Sequence, residues 1–216
     1  MDAFGDHEKA IAEFSRAIEL DPTDGGRYRR RAWAYLGLQN WDSALDDLSR
    51  AIDLDPDGDL YLTRGMTYYY AERYEEALAD LDKALLIGGI YAGAAHHGKG
   101  WTFYAMGRYE EAVEAYTQAS ADNWDDYAWP FFEDSHWLLD RGIAYRELGQ
   151  FDEALADHEA LLELWDGWFR PYYERGLTYR AMGREEEAIA DFRQAFEYVD
   201  DAAWRERIMQ ALEQTQ

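Results

Sequence analysis

Alanine returns at a nearly fixed interval along this chain. Ala10, Ala44, Ala77, Ala112, Ala154 and Ala188 are separated by 34, 33, 35, 42 and 34 residues. A related phrase surrounds each, as in "DHEKAIAEFSRAIELDP", "NWDSALDDLSRAIDLDP" and "REEEAIADFRQAFEYVD". A period in this range predicts an array of stacked supersecondary units, none of which buries its apolar face alone. That constraint overrides the length of 216 residues, which by itself would allow one or two globular domains.

A second pattern precedes five of the alanines and ends on an aromatic nine residues upstream. It reads Tyr28-x2-Arg31-Ala32-x2-Tyr35, Tyr61-x2-Arg64-Gly65-x2-Tyr68 and His96-x2-Lys99-Gly100-x2-Phe103. The last two copies are Leu138-x2-Arg141-Gly142-x2-Tyr145 and Tyr172-x2-Arg175-Gly176-x2-Tyr179. Downstream, the alanine is followed at the fourth position by Phe14, Leu48, Leu81, Tyr116, His158 and Phe192. Together these resemble the tetratricopeptide repeat, a helix–turn–helix unit, over roughly residues 5–201. The resemblance implies an all-α fold, a right-handed α-α superhelix of stacked helix pairs.

The spacing has a physical basis. Helical residues three and four apart share a face, so the alanines make a flat strip that a neighbouring helix can approach closely. Large residues fill the gaps beside it. Asp21-Pro22 and Asp55-Pro56 mark helix ends, because the residue before proline is pushed out of helical geometry.

The expected organisation is one solenoid over 1–216. A half repeat at 5–24 supplies a second helix, Asp6–Leu20, with no first helix before it. Full repeats follow at 25–57, 58–92, 93–126, 135–168 and 169–201, then a capping helix at 202–215. The long interval holds an insertion at about 121–134, "ADNWDDYAWPFFED", with five aromatics and five acids. Insertions of this kind lie on one face of an array, often the binding face.

Composition narrows the function. The net charge is −24, which disfavours nucleic-acid phosphates as partners. There is no cysteine for disulfides or thiolate metal sites. No apolar run approaches the ~20 residues that span a bilayer, and the first residues do not read as a secretory signal. A cytoplasmic location is the expectation, with no membrane partner. Five histidines remain: His96 and His158 stand at packing positions of the repeat, and His97 and His136 alone make a poor zinc site. No metal, no cofactor and no catalytic residues are expected, since phosphate loops, HExxH and nucleophile elbows are missing.

Four arginines are each followed sixteen residues on by an acid: Arg31 and Asp47, Arg64 and Asp80, Arg141 and Asp157, Arg175 and Asp191. Where arginine becomes Lys99, the acid becomes Ala115, and this paired departure predicts ion pairs across the two helices of a unit. The Lys99 helix also carries Gly93, Gly98 and Gly100, each about 1 kcal/mol less favourable than alanine, and reads as the weakest in the array.

In the family that the chain resembles, first helices line a concave groove for extended peptides or helices. Carried over by register, the groove candidates toward the N-terminus are Arg29, Arg30, Trp33, Tyr69, Tyr70, His97, Trp101 and Tyr104. Toward the C-terminus they are His136, Arg146, Arg170, Tyr173 and Arg180. The five arginines there face Asp59, Asp140, Glu147 and Glu174 at neighbouring groove positions, so the groove is near neutral; its middle is aromatic, a composition that favours binding hot spots. Acidic flanks of a ligand would lie toward Arg29 and Arg30 or toward Arg170 and Arg180. Relatives that hold acidic chaperone tails use Lys and Asn at set positions; here those places carry Arg29, Trp33, Thr63, Ala94 and Gly98, which argues against that ligand. The leading expectation is a non-catalytic scaffold binding a protein or peptide. The alternatives are a unit that self-assembles end to end through its terminal helices, giving a homo-oligomer, and a small-molecule binder using the groove and the insertion.

Overall fold

In the computed structural model, the residues described are 3–88, 92–121, 136–165 and 167–215. Among them there are twelve α-helices and no strand. In order they are α1 (Ala3–Leu20), α2 (Gly25–Gly37), α3 (Trp41–Leu54), α4 (Gly58–Tyr70), α5 (Tyr74–Ile87) and α6 (Ala92–Ala105). Then follow α7 (Tyr109–Ala121), α8 (Trp137–Glu147), α9 (Phe151–Leu164), α10 (Phe169–Ala181), α11 (Glu185–Tyr198) and α12 (Ala202–Glu213). The insertion expected at about 121–134 falls almost wholly outside the described residues. The first helix starts at Ala3, three residues before the expected Asp6, and the last stops at Glu213, short of the expected Thr215.

The helices gather into two compact units. Unit 1 runs to Met106 and takes in the end of α7 from Gln118; unit 2 holds Gly107–Thr117 and the helices from α8 onward. Within unit 1, α2 pairs with α3 and α4 with α5, while α1 lies against α2 and α6 against α5 and α4. Within unit 2, α8 pairs with α9 and α10 with α11, with α12 packed on α11.

The alanine strip does what its spacing requires. Ala44, Ala77, Ala112, Ala154 and Ala188 are completely buried, as are Leu48, Leu81, His158 and Phe192 four residues on. In unit 1, Ala32, Leu48 and Ala51 pack with Ile18, Tyr28, Ile52 and Leu60. In unit 2, Tyr173, Ala188, Phe192, Ala195 and Val199 pack with Ile208 and Ala211 of the last helix. Burial of such side chains contributes about 1.5–3 kcal/mol each for the larger ones.

The Tyr-x2-Arg-x3-Tyr phrase has a tertiary meaning. Arg31 sits over the rings of Tyr28 and Tyr35, at 5.8 and 6.0 Å, and Arg64 over Tyr61 and Tyr68, at 5.7 and 5.8 Å. So held, Arg31 donates from Nε and Nη2 to the two carboxylate oxygens of Asp47, both at 2.7 Å. Arg64 grips Asp80 the same way at 2.6 and 2.9 Å, Arg141 grips Asp157 at 2.8 and 2.7 Å, and Arg175 grips Asp191 at 2.7 and 2.8 Å. Each fork joins the two helices of one hairpin. Three of these arginines also donate to a hydroxyl on the preceding second helix: Arg31 to Ser15, Arg64 to Ser49 and Arg141 to Thr117. One side chain thus ties its own hairpin and registers it on the previous one. Lys99, the departure, donates instead to Asp82 of α5 at 2.6 Å.

Candidate functional site

Helices α3, α4, α5 and α6 of unit 1 bring several aromatic rings into one run. Tyr69 and Tyr70 end α4, Trp41 opens α3, and Trp101 lies on α6. Trp41 stacks on Tyr70 with centroids 5.5 Å apart and planes 18° apart. Tyr70 meets Tyr69 edge-on at 5.3 Å, and Tyr69 meets Trp101 at 5.8 Å. Tyr74, at the start of α5, touches Tyr69 at 6.1 Å. Trp41, Tyr69, Tyr70 and Trp101 are all half-buried, so each keeps part of its ring at the surface. Burial raises the Tyr70 hydroxyl above its ordinary pKa.

The other candidates of unit 1 are placed differently. Trp33 and Tyr104 are half-buried, and Arg30 is exposed. Arg29 is tied to Asp57 and lies 3.4 Å from Asp59, so its charge is answered within the fold. Burial, partly opposed by Arg29, raises the Asp59 carboxyl above the usual range. His97 is fully buried and packs edge-on against Trp101 at 5.3 Å, so it supports the run from beneath. The neighbouring His96 is half-buried. Thr63 and Ala94 are buried, with the Thr63 hydroxyl donating to the Asp59 carbonyl at 2.7 Å.

In unit 2 the candidates fall into two groups. His136 caps α8, its Nδ1 accepting from the Leu138 amide at 3.2 Å. Its ring meets Trp165 edge-on at 4.9 Å and Trp137 at 5.4 Å. Arg170, Tyr173 and Arg180 instead reach α12 or its cap, and Arg146 reaches α10. Arg146 donates to Glu174 at 2.8 Å, and Arg170 lies 3.9 Å from the same buried carboxylate. Arg170 also stacks on Trp204 at 4.6 Å, and Tyr173 packs between Trp204 at 5.5 Å and Phe192 at 5.8 Å. Tyr173 is buried, not open as a groove position would be.

The sequence reading left out Trp41 and Tyr74, which start second helices, and Arg207, which lies on the last helix. An aromatic three residues before the repeat alanine was the available signal for the first pair. Trp204, Ile208, Ala211 and Leu212, which share one face of the capping helix at the spacing of a first helix, pack inside unit 2: Ile208 and Ala211 are buried, and Trp204 meets Phe169 at 5.2 Å. Among the described residues, no helix is long and apolar enough to cross a membrane. Among the same residues, no group of three or more His, Asp or Glu side chains is placed to hold a metal ion.

Comparison with known proteins agrees with the repeat architecture. A tetratricopeptide repeat model matches residues 58–121 and 134–203, and three others match 97–167, 27–57 and 2–24. Sperm-associated antigen 1 of Mus musculus is 38% identical over 84 residues, covering 38% of this chain and 9% of that protein. The protein STIP1 homolog of Dictyostelium discoideum is 36% identical over 83 residues, covering 38% of this chain and 15% of that protein. The matches thus span only a small part of these curated relatives. Among solved structures, YrrB, a tetratricopeptide protein with an unusual peptide-binding site, is 23% identical with a TM-score of 0.64, covering 91% of this chain and 97% of its own. A chain of the APC/C Cut9–Hcn1 hetero-tetramer is 16% identical with a TM-score of 0.72, covering 97% of this chain and 39% of its own. With the repeat models matched over most of its length and the repeat alanines buried in register, the chain belongs to the tetratricopeptide repeat family.

Proposed function

We propose that this chain is a non-catalytic interaction module that takes an extended peptide, or one helix of a protein partner, against the aromatic run of unit 1. The observation that carries the reading is the run itself: Trp41, Tyr70, Tyr69 and Trp101 in successive ring contact, each half-exposed, in an otherwise strongly acidic chain. Rings held by packing lose little conformational freedom on binding, and Trp and Tyr dominate the energetics of interfaces. His97 and Tyr74 brace the run, so it is preorganised. Membership of a family whose members bind protein partners supports the same reading.

The test is a random peptide library displayed on phage, selected against the purified chain and then measured on wild type and on Trp101→Ala. Selected peptides should lose about 2 kcal/mol, roughly thirtyfold in Kd, on the variant. Peptides that bind a folded Trp101→Ala chain with unchanged affinity would place the binding surface elsewhere.

A further inference from the structure

We propose that unit 2 carries a separate binding site for an acidic peptide, whose carboxylates are taken by Arg180 and Arg207. The site is a cluster of four arginines around a tyrosine, in a protein whose net charge is −24. Arg170 and Arg207 each stack on Trp204 at 4.6 Å. Arg180 lies over Phe192 at 5.8 Å, and Arg146 reaches Glu174 at 2.8 Å. Tyr173 packs on both Trp204 and Phe192, which sets the four side chains about one aromatic centre. Its phenol senses them: burial and Glu174 push its pKa up, while Arg207, Arg180 and Arg146 pull it down.

The charges do not cancel within the cluster. Glu174 is shared between Arg146 and Arg170, and Glu147 lies 3.8 Å from Arg146. Among the described residues, neither Arg180 nor Arg207 has a carboxylate within ion-pair distance; Arg180 donates only to the neutral Gln214 side chain, at 3.3 Å. This separates the cluster from Arg29, whose charge Asp57 and Asp59 already answer. Two guanidinium forks with unfilled donors, steadied on aromatic faces, match the planar geometry of carboxylates. The occupant is a peptide and not a nucleic acid, because the surrounding acidic surface repels a continuous phosphate chain, while a short acidic segment meets only the local field. The proposal rests on the reading of the chain as an interaction module, yet not on the aromatic run of unit 1.

The probe is fluorescein-labelled hexaglutamate, titrated with the full chain at low ionic strength and followed by anisotropy. Saturable binding is expected, weakened by about tenfold or more in R180E/R207E and weakened less in R180K/R207K, which keeps the charge and loses the planar fork. R16E/R193E, a reversal at two exposed arginines elsewhere, makes the same change in net charge and should leave the affinity near wild type. Circular dichroism establishes that each variant is folded, and Trp101→Ala should bind the probe as wild type does, so this test and that of the aromatic run fail independently. No saturable binding by wild type, or an equal loss in R16E/R193E, would overturn the proposal. So would a ten-residue thymidylate that binds as tightly and is lost with the same two arginines.

Discussion

His158 fills the space that a side chain at position 142 would need: a Cβ on Gly142 would stand 2.5 Å from the imidazole Cε1. The equivalent pair in the next hairpin is Gly176 and Phe192, where the same Cβ would stand 2.7 Å from a phenyl carbon. The glycine of the Arg-Gly-x2-Tyr phrase is therefore a socket for the ring borne four residues after the repeat alanine. In this socket His158 is fully buried, and neither ring nitrogen has a hydrogen-bond partner among the described residues.

Acid sensitivity follows from that placement. Burial, followed by the charges of Arg146 and Arg175, lowers the His158 pKa to about 3 from the 6.5 of a free imidazole. The folded state thus binds fewer protons than the unfolded state between these values. Stability is fully present above pH 6.5 and declines as pH falls toward 3, by up to about 1.4 kcal/mol per pH unit from this one group. His158→Phe, which places in this socket the ring already accepted beside Gly176, should remove that slope and stabilise the neutral protein by about 1–3 kcal/mol. Urea unfolding at pH 7.5, 6 and 5 on both proteins checks it; equal slopes would refute the assignment.

The four Arg–Asp forks and the Lys99–Asp82 contact should differ sharply in worth. Asp80 keeps 6% of its side chain exposed against 15% for Arg64, whereas Asp82 keeps 61%. Removing Arg64 leaves a buried carboxylate without its counter-charge, so Arg64→Met should cost about 3 kcal/mol or more. Lys99→Met should cost under about 1 kcal/mol, since the partner is hydrated either way. The double variant Arg64→Met/Asp80→Leu should recover most of the first loss. Denaturant midpoints of the three variants decide the matter, and equal losses for Arg64→Met and Lys99→Met would contradict it.

The forks were legible in the sequence because both partners move with the same period, and the one copy that lost its arginine also lost its acid. Helix pairing was legible for the same reason. The candidate site was read less well. Register alone assigned His96 to the core and His97 to the groove, but His97 is the fully buried one. The cause lies next to it: α6 approaches its neighbours closely, and a Cβ on Gly98 would stand 2.7 Å from the Met66 sulfur. Gly98, read from the sequence as a weakness of this helix, admits Met66 and Leu81 where a side chain would clash. The arginine cluster of unit 2 was half visible, since Arg170 and Arg180 follow the repeat whereas Trp204 and Arg207 belong to a helix that carries no repeat alanine.

Backbone strain in the hairpin turns supplies the final prediction. The turn between first and second helices needs a left-handed residue at one fixed place: Gly107, Gly149 and Gly183 have φ of 72–73° there. In the first two hairpins the same place holds Gln39 and Glu72, at φ 55° and 58°. The next amide in each turn bonds back to the helix, as Asn40 does to the Tyr35 carbonyl and Arg73 to the Tyr68 carbonyl, both at 2.9 Å. That bond fixes the conformation whatever the residue. Left-handed geometry costs a side-chain-bearing residue about 1–2 kcal/mol, of which glycine would return part through its own entropy in the unfolded chain. Both Gln39 and Glu72 are exposed, and a Cβ at Gly107, Gly149 or Gly183 would meet nothing within 4 Å, so the difference is one of backbone alone. Glu72→Gly should therefore stabilise the protein by about 0.5–1 kcal/mol, and Gly149→Glu should destabilise it by a similar amount. Chemical denaturation of the two variants measures both signs, and a Glu72→Gly protein less stable than wild type would show that the turn at Arg73 is held by something other than backbone geometry.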